Sequence, residues 1–270
     1  MQPSRRAMIA TTAAAALSPR TALATSETLR ADLEAVFTSH GAVGTFVLFD
    51  AVKDSLTLVN AALARKRLIP ASTFKIANSL IALETGVVKD ENEIIPYGGK
   101  PQPMKQWERD MSMRDAIIVS NVPIYQELAR RVGLPRYRDW LARLDYGNRE
   151  PGSDVEHFWL RGPLEITPVE QVSFVARLAR GKLEASPRSQ AIVRDILRLE
   201  SNDGATLFAK TGFATASVPS IGWWTGWVER AGSIHSFAIV VMGLAMADAG
   251  KRLVIGRALL DALGVYKSKP

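Results

Sequence analysis

Apolar positions along the chain change period three times. Leu29, Leu33, Val36 and Phe37 recur at helical spacing behind Ser26, a capping residue, and Gly41 closes the run, so the pattern predicts a helix there. Val43 to Phe49 reads as a strand, Lys53-Asp54 as a turn and Ser55 to Val59 as the returning strand of a hairpin. Arg65-Lys66-Arg67 reads as an exposed link. A helix with Ile76, Ala77, Leu80, Ile81 and Leu83 on its apolar side then starts at Ser72 and stops near Gly86. Residues 90–106 are loop-rich, with Pro96, Gly98, Gly99, Pro101 and Pro103.

From Ser112 the pattern is helical. One helix runs from Met113 to about Val119 and breaks at Ser120-Asn121-Val122. Pro123 opens a second through Arg131, which Gly133 ends. Pro135 opens a third with Tyr137, Trp140, Leu141 and Leu144 on one side. Residues 149–166 form a long connection holding His157, Phe158, Trp159 and Leu160, and long ordered loops are often functional. Thr167-Pro168-Val169-Glu170 is a capping box, and Ser186-Pro187 starts another helix. The period then becomes strand-like: Ala205 to Lys210, Ile221 to Glu229 and Ser236 to Leu244 predict an antiparallel meander, with Arg252 to Leu263 as a final helix.

Strands at both ends and helices in the middle imply an α+β fold. A mostly antiparallel sheet of about five strands is flanked by helices and carries an inserted all-helical region. The mixed part comprises residues 25–86 and 163–270, the helical part 87–162, and the cleft between them is the natural ligand site.

Composition narrows the class. The chain of 270 residues is 47% hydrophobic and 23% charged, which is globular, and no apolar run is long enough to span a bilayer. Arg5 and Arg6, the small apolar run Ala7 to Leu17 and Ala22-Leu23-Ala24 read as an export signal over residues 1–24, placing the mature protein in the periplasm or outside the cell. Ser4-Arg5-Arg6 leaves twin-arginine export open beside ordinary secretion. Cleavage near Ala24 takes away Arg5, Arg6 and Arg20 and no acid, lowering Lys+Arg from 34 to 31 against 27 acids and the net charge from +7 to +4. That charge is mild and scattered, so no nucleic-acid partner is expected. The absence of cysteine excludes thiol catalysis and zinc–thiolate sites. His40, His157 and His235 lack metal-ligand spacing, and no G-x-S-x-G or G-x-G-x-x-G occurs. Neither stable membrane insertion nor an oligomeric state is indicated.

Four short stretches could carry chemistry. In Pro70-Ala71-Ser72-Thr73-Phe74-Lys75, positions i and i+3 of a helix share a face, so the Lys75 amine can reach the Ser72 hydroxyl. The same residues are also compatible with Ser72 or Thr73 as an ordinary N-cap and Lys75 as a solvated lysine. Ser120-Asn121-Val122 sits between two helices, Tyr146-Gly147-Asn148 follows a helix end, and Lys210-Thr211-Gly212 lies at a strand end, where a carboxylate could lie along the strand. Each alone is bland: a cap, a helix stop, a strand-to-turn ending. The four in this order are not.

With these motifs, and with Lys105-Gln106-Trp107-Glu108-Arg109, Phe158-Trp159-Leu160, Lys210 to Phe213 and Trp223 to Glu229, the chain resembles the class D serine β-lactamases within the penicillin-recognising serine enzymes. The resemblance implies that Ser72 is the nucleophile and Lys75 the general base, carried as a carbamate (N6-carboxylysine) made from carbon dioxide or bicarbonate. It implies that the Trp159 indole holds that carbamate and that Ser120 relays protons. Lys210, Thr211 and Arg252 would hold the substrate carboxylate, with Val122, Leu160 and Gly212 also lining the substrate site, and the N–H groups of Ser72 and Phe213 would form the oxyanion hole. No metal and no other cofactor are implied. From the residues alone, Trp159 is equally a core side chain and Arg252 a surface charge. Class members often carry two cysteines in the first hairpin; the comparable places here hold Phe49 and Leu56. Tyr97-Gly98 stands where a Trp-Asp pair is common, and the loop Ala214 to Gly222 is short and lacks arginine. The expected function is hydrolysis of penicillin-type β-lactams through a serine acyl-enzyme. The alternatives are a non-hydrolysing β-lactam sensor and a peptidoglycan D,D-transpeptidase; the absence of membrane spans and the export signal favour the soluble hydrolase.

Overall fold

The fold is organised by a seven-stranded sheet, in a computed structural model that describes residues 26–267. The predicted export segment lies outside the described residues. In chain order the strands are β1 (Ser26–Leu29), β2 (Val43–Asp50), β3 (Ser55–Val59), β4 (Ile94–Ile95), β5 (Met111–Ser112), β6 (Arg198–Asn202), β7 (Ala205–Ala214), β8 (Ile221–Arg230) and β9 (Ser233–Met242). The helices are α1 (Glu34–Thr38), α2 (Ala61–Ala64), α3 (Lys75–Glu84), α4 (Met113–Ile118), α5 (Val122–Val132), α6 (Leu134–Arg143), α7 (Phe158–Arg161), α8 (Pro168–Ala179), α9 (Pro187–Ile196) and α10 (Lys251–Ala262). The sheet order is β1-β3-β2-β9-β8-β7-β6, and only the β1–β3 pair is parallel. This is the expected mixed fold with a mostly antiparallel sheet. The middle of the chain is helical apart from the small β4–β5 ladder.

Alternation along the central strands explains the layers. On β9, Phe237, Ile239 and Val241 face one core with α1 and α10, while Ala238 and Val240 face the other with α3 and α8. On β8, Trp224 and Val228 join the first core and Trp223 and Trp227 the second. Strands covered on both faces therefore read as continuous apolar runs. The Thr167–Glu170 capping box forms as the sequence predicts and starts α8.

Two expectations are corrected. Ser26 does not cap a helix. Residues 26–29 form edge strand β1 beside β3, with Ser26 opposite Ser55 and Leu29 opposite Leu58. Only Leu33 and Phe37 of the predicted face are buried, in a short 3-10 turn (Ala31–Leu33) followed by α1. The open edge of β3 offered backbone pairing that local periodicity does not register. The sheet also has seven strands, not about five, because β1 and β6 extend it at both edges. β6, with the sequence RLESN, has neither β-branched nor aromatic residues and no alternation that would announce it. In the first hairpin, Phe49 and Leu56 face each other directly across β2 and β3 as an apolar pair.

Candidate active site

Ser72 lies in a 3-10 turn, Ala71–Phe74, that leads into α3; the α-helix proper starts at Lys75, not at Ser72. Neither hydroxyl acts as an N-cap. Thr73 Oγ1 donates to the Pro70 carbonyl at 2.7 Å, and Ser72 Oγ accepts a 2.7 Å hydrogen bond from Lys75 Nζ. The turn is fixed from both sides. Trp223 Nε1 donates to the Ile69 carbonyl at 3.0 Å, and Leu68 pairs with Ile166 across the chain. Ala71 takes a left-handed φ of 49°. On β7, a Cβ at Gly212 would sit 3.0 Å from the Pro70 carbonyl oxygen and 3.1 Å from Thr73 Cγ2, so glycine lets the strand approach the turn that carries Ser72.

Lys75 is 0% exposed. Every residue of α3 from Lys75 to Leu83 is buried, so this helix has no solvent face on which an amine could be hydrated. The Nζ lies 5.3 Å from the centroid of the Tyr125 ring, whose hydroxyl is tied to Ser79 Oγ at 2.8 Å. Burial, with the nearby positive charge of Lys210, holds the Lys75 amine well below its usual range. The solvated-lysine alternative is therefore excluded.

Ser120 sits between α4 and α5 with φ 54°, a conformation uncommon for a non-glycine residue. Asn121 is the N-cap of α5: its side-chain oxygen accepts from Ile124 N at 3.0 Å, and its amide donates to the Trp107 carbonyl at 3.3 Å. Trp107 in turn donates to the Val119 carbonyl at 3.0 Å. Thus Asn121 and Trp107 hold the bend on which Ser120 is displayed. Sequence reasoning did not single out Asn121, although Asn two residues before a proline at the start of a helical run is a capping signal.

Lys210 Nζ donates to Ser120 Oγ and to the Thr211 carbonyl, both at 3.0 Å. The lysine is 5% exposed, and burial with the neighbouring Arg252 charge lowers its amine to about 7. The K-T-G motif is not at the strand end, because β7 continues to Ala214. Its outer edge is open. Strand β6 pairs with β7 only as far as Phe208, and Ala209 N donates to Leu197 O at 3.0 Å. With antiparallel alternation, the backbone groups of Thr211 and Phe213 face the same side as those of Ala209, beyond the departed strand.

Arg252 projects from the first turn of α10, with its guanidinium carbon 5.6 Å from the centroid of the Phe213 ring. Its Nη1 donates to the Ala249 carbonyl, while its Nε is buried without a hydrogen-bond partner among the described residues. Burial lowers its ordinary value. Lys75 and Lys210 are buried and Arg252 half-buried, with no acid among the groups that shift them.

Trp159, in the single turn α7, is also 0% exposed, and its ring packs 5.7 Å from that of Phe74. Its Nε1 has no partner among the described residues. An unmet buried donor costs about 1–3 kcal/mol, which a plain core tryptophan would not incur. Val122 and Leu160 are half-buried and add no polar contact. Tyr146-Gly147-Asn148 is a clamp and not a plain stop. Tyr146 OH donates to Gln171 Oε1 at 3.1 Å, and Asn148 binds the Pro163 carbonyl at 2.7 Å and Glu165 N at 3.0 Å. A Cβ at Gly147 would lie 2.1 Å from the Glu165 oxygen. The motif thereby fixes the exit of the segment that carries Trp159. His157 is tied to Asp154 at 2.9 Å and to Gln126 at 3.2 Å.

A serine hydroxyl bonded to a buried amine, a second hydroxyl bonded to a second buried amine, and an open strand edge come together in one site. The family profile of the penicillin binding protein transpeptidase domain matches residues 19–260. Beta-lactamase OXA-10 of Pseudomonas aeruginosa is 42% identical over 221 residues, covering 81% of this chain and 83% of that protein. The crystal structure of FUS-1 (OXA-85), a class D beta-lactamase from Fusobacterium nucleatum subsp. polymorphum, superposes with a TM-score of 0.86 at 39% identity and covers 89% of this chain and 100% of that one. Regulatory protein BlaR1 of Bacillus licheniformis is 31% identical over 238 residues, covering 88% of this chain and 39% of that protein. The chain belongs to the class D β-lactamases, and its activity is hydrolysis of the β-lactam ring.

Proposed function

We propose that the enzyme opens penicillin-type β-lactams through an ester on Ser72, with Lys75 working as an N-carboxylated base. The observation that carries this reading is the 2.7 Å bond between Ser72 Oγ and a fully buried Lys75 amine held well below its usual range. A neutral amine is the form that adds carbon dioxide, and the orphaned Trp159 indole N–H and the positive charge of Lys210 near Lys75 suit an anion there. Once formed, the carbamate supplies a basic oxygen where a protonated lysine would supply none.

The remaining steps belong to the chain's own groups. Ser72 gives up its hydroxyl proton to the base at Lys75 as Oγ bonds to the lactam carbonyl carbon. The N–H groups of Ser72 and Phe213 receive the oxyanion, the latter from the open edge of β7. As the C–N bond breaks, Ser120 Oγ hands its proton to the lactam nitrogen, and the Lys210 ammonium at 3.0 Å replaces it. Lys210, Thr211 and Arg252 hold the substrate carboxylate. The proton taken from Ser72 passes from the base to Lys210 by way of Ser120, which restores both groups. The freed base then takes a proton from water, the hydroxide cleaves the ester, and that proton goes to the departing Ser72 Oγ.

This is tested with labelled bicarbonate. A carbon-13 carbamate signal is expected in the wild-type protein, absent in Lys75→Ala and weakened in Trp159→Phe, which removes the indole N–H together with one ring. Activity should rise with added bicarbonate. No signal and no bicarbonate response would remove the base assignment.

A second reading has one observation behind it, the 31% identity to a regulatory protein. A sensor would acylate Ser72 and stop. Export to the periplasm or medium after cleavage near Ala24 is part of the proposed setting; no helix among the described residues is long and apolar enough to cross a membrane.

A further inference from the structure

Beyond Thr211, on the α10 side of the sheet edge, lies a cavity of about 270 Å³. Its apolar wall is made by Ile117 and Ile118 at the end of α4, Ile196, Leu199 and Leu253, and Lys210 and Thr211 form its inner border. It exists because β6 leaves β7 after Phe208, so the gap that exposes the strand edge continues sideways between α4 and α10. Ile118 is 73% exposed and Leu199 51%, so two large apolar side chains stand at the mouth uncovered by any described residue. The charges beside it are engaged: Arg257 pairs with Glu200 at 2.5 Å, and Arg198 lies 5.2 Å over the Phe208 ring.

The cavity's position relative to the carboxylate site follows from strand geometry. Thr211 and Phe213 alternate onto the face that packs on α10, and Arg252 stands over Phe213. The anion site is therefore on the α10 side of the edge, and Thr211 borders both it and the cavity. At about 270 Å³ the space falls below the roughly 300–1,000 Å³ of sites that enclose a whole drug-sized ligand. It suits one substituent of a ligand already held elsewhere.

We propose that this pocket receives an apolar, preferably aromatic, substituent on the substrate's second ring, borne by the carbon next to the one that carries the carboxylate. The inference rests on the reading of Lys210, Thr211 and Arg252 as the carboxylate holders. It makes Ile118, Leu199 and Leu253 specificity-determining side chains: they touch the substituent and not the reacting atoms. Substrates with a small group there leave Ile118 and Leu199 in water, while those with an aryl group cover them.

The test uses two cephalosporins with the same acyl side chain, one bearing a methyl at the ring carbon in question and the other an arylvinyl group, which does not depart on ring opening. The readout is the second-order acylation rate constant, followed by intact mass, so that a protein that acylates without hydrolysing gives the same information. In the wild type the arylvinyl substrate is favoured. In Ile118→Asn and in Leu199→Asn that preference falls about five- to tenfold, the scale expected for losing part of an aromatic ring's apolar burial. Val254→Asn, an exposed apolar position on α10 outside the pocket, leaves the preference unchanged. Equal loss for both substrates, or an unchanged ratio in both variants, overturns the pocket assignment while leaving acylation at Ser72 standing. No acylation of either substrate overturns the parent reading and the inference with it. A change confined to the oligomeric state of Leu199→Asn would assign the apolar mouth to a second copy of the chain instead.

Discussion

Replacing Lys75 by alanine is expected to lower kcat/KM for a penicillin by about 10³-fold or more. A positioned general base is typically worth roughly 10²–10⁴, and in the proposed cycle one residue serves both halves. The structure gives no substitute. The next amine, Lys210, is bonded to Ser120 and not to Ser72, and the Ser72 hydroxyl has Lys75 as its side-chain partner. The fold should persist. Truncation leaves a cavity, but it also removes an amine that burial disfavours, so the two effects offset each other. Steady-state kinetics and thermal unfolding on the same preparations separate the two possibilities. A hundredfold loss or less with an intact fold would mean that another group takes the Ser72 proton.

Gly226→Ala is expected to be the most damaging single methyl in the sheet. Its Cβ would be placed 1.9 Å from the Phe208 carbonyl oxygen and 2.7 Å from Ala209 Cα, both backbone atoms of β7. Backbone cannot swing aside as a side chain can, so β7 must move relative to β8. Overpacking of this kind costs about 3 kcal/mol or more, or roughly 6–12 °C in Tm for a chain of this size. Because Gly226 is paired with Ala209 and Thr225 with Lys210, the displacement reaches the amine that bonds Ser120. Activity should therefore fall in the surviving folded fraction as well. A variant with unchanged Tm and unchanged turnover would contradict the packing described for these strands.

The parts of this enzyme that were legible in its sequence are those fixed by local geometry. Ser72 and Lys75 are three residues apart, and one helical turn brings them together whatever the rest of the chain does. The Thr167 capping box and the three strands β7 to β9 carry their signals within a few residues. What was not legible depends on partners far away in the chain. β1 and β6 are strands only because β3 and β7 offer edges. The left-handed turn at Ser120 is held by Asn121 and Trp107, and the glycine at 226 is required by a carbonyl eighteen residues upstream on a neighbouring strand. Trp159 is singled out by family likeness alone. Its unsatisfied indole N–H, which an ordinary packed tryptophan would not carry, exists only in three dimensions. Likewise, nothing in the local sequence of α5 marks Tyr125 as the ring beside Lys75.

The central claim is that acylation at Ser72 is followed by hydrolysis, and steady-state turnover of a penicillin by the purified protein tests it most directly. The account predicts many equivalents of ring-opened product per Ser72, sustained after any initial burst. One equivalent of product, retained on the protein by mass and followed by no further reaction, would contradict it and assign the chain to β-lactam sensing.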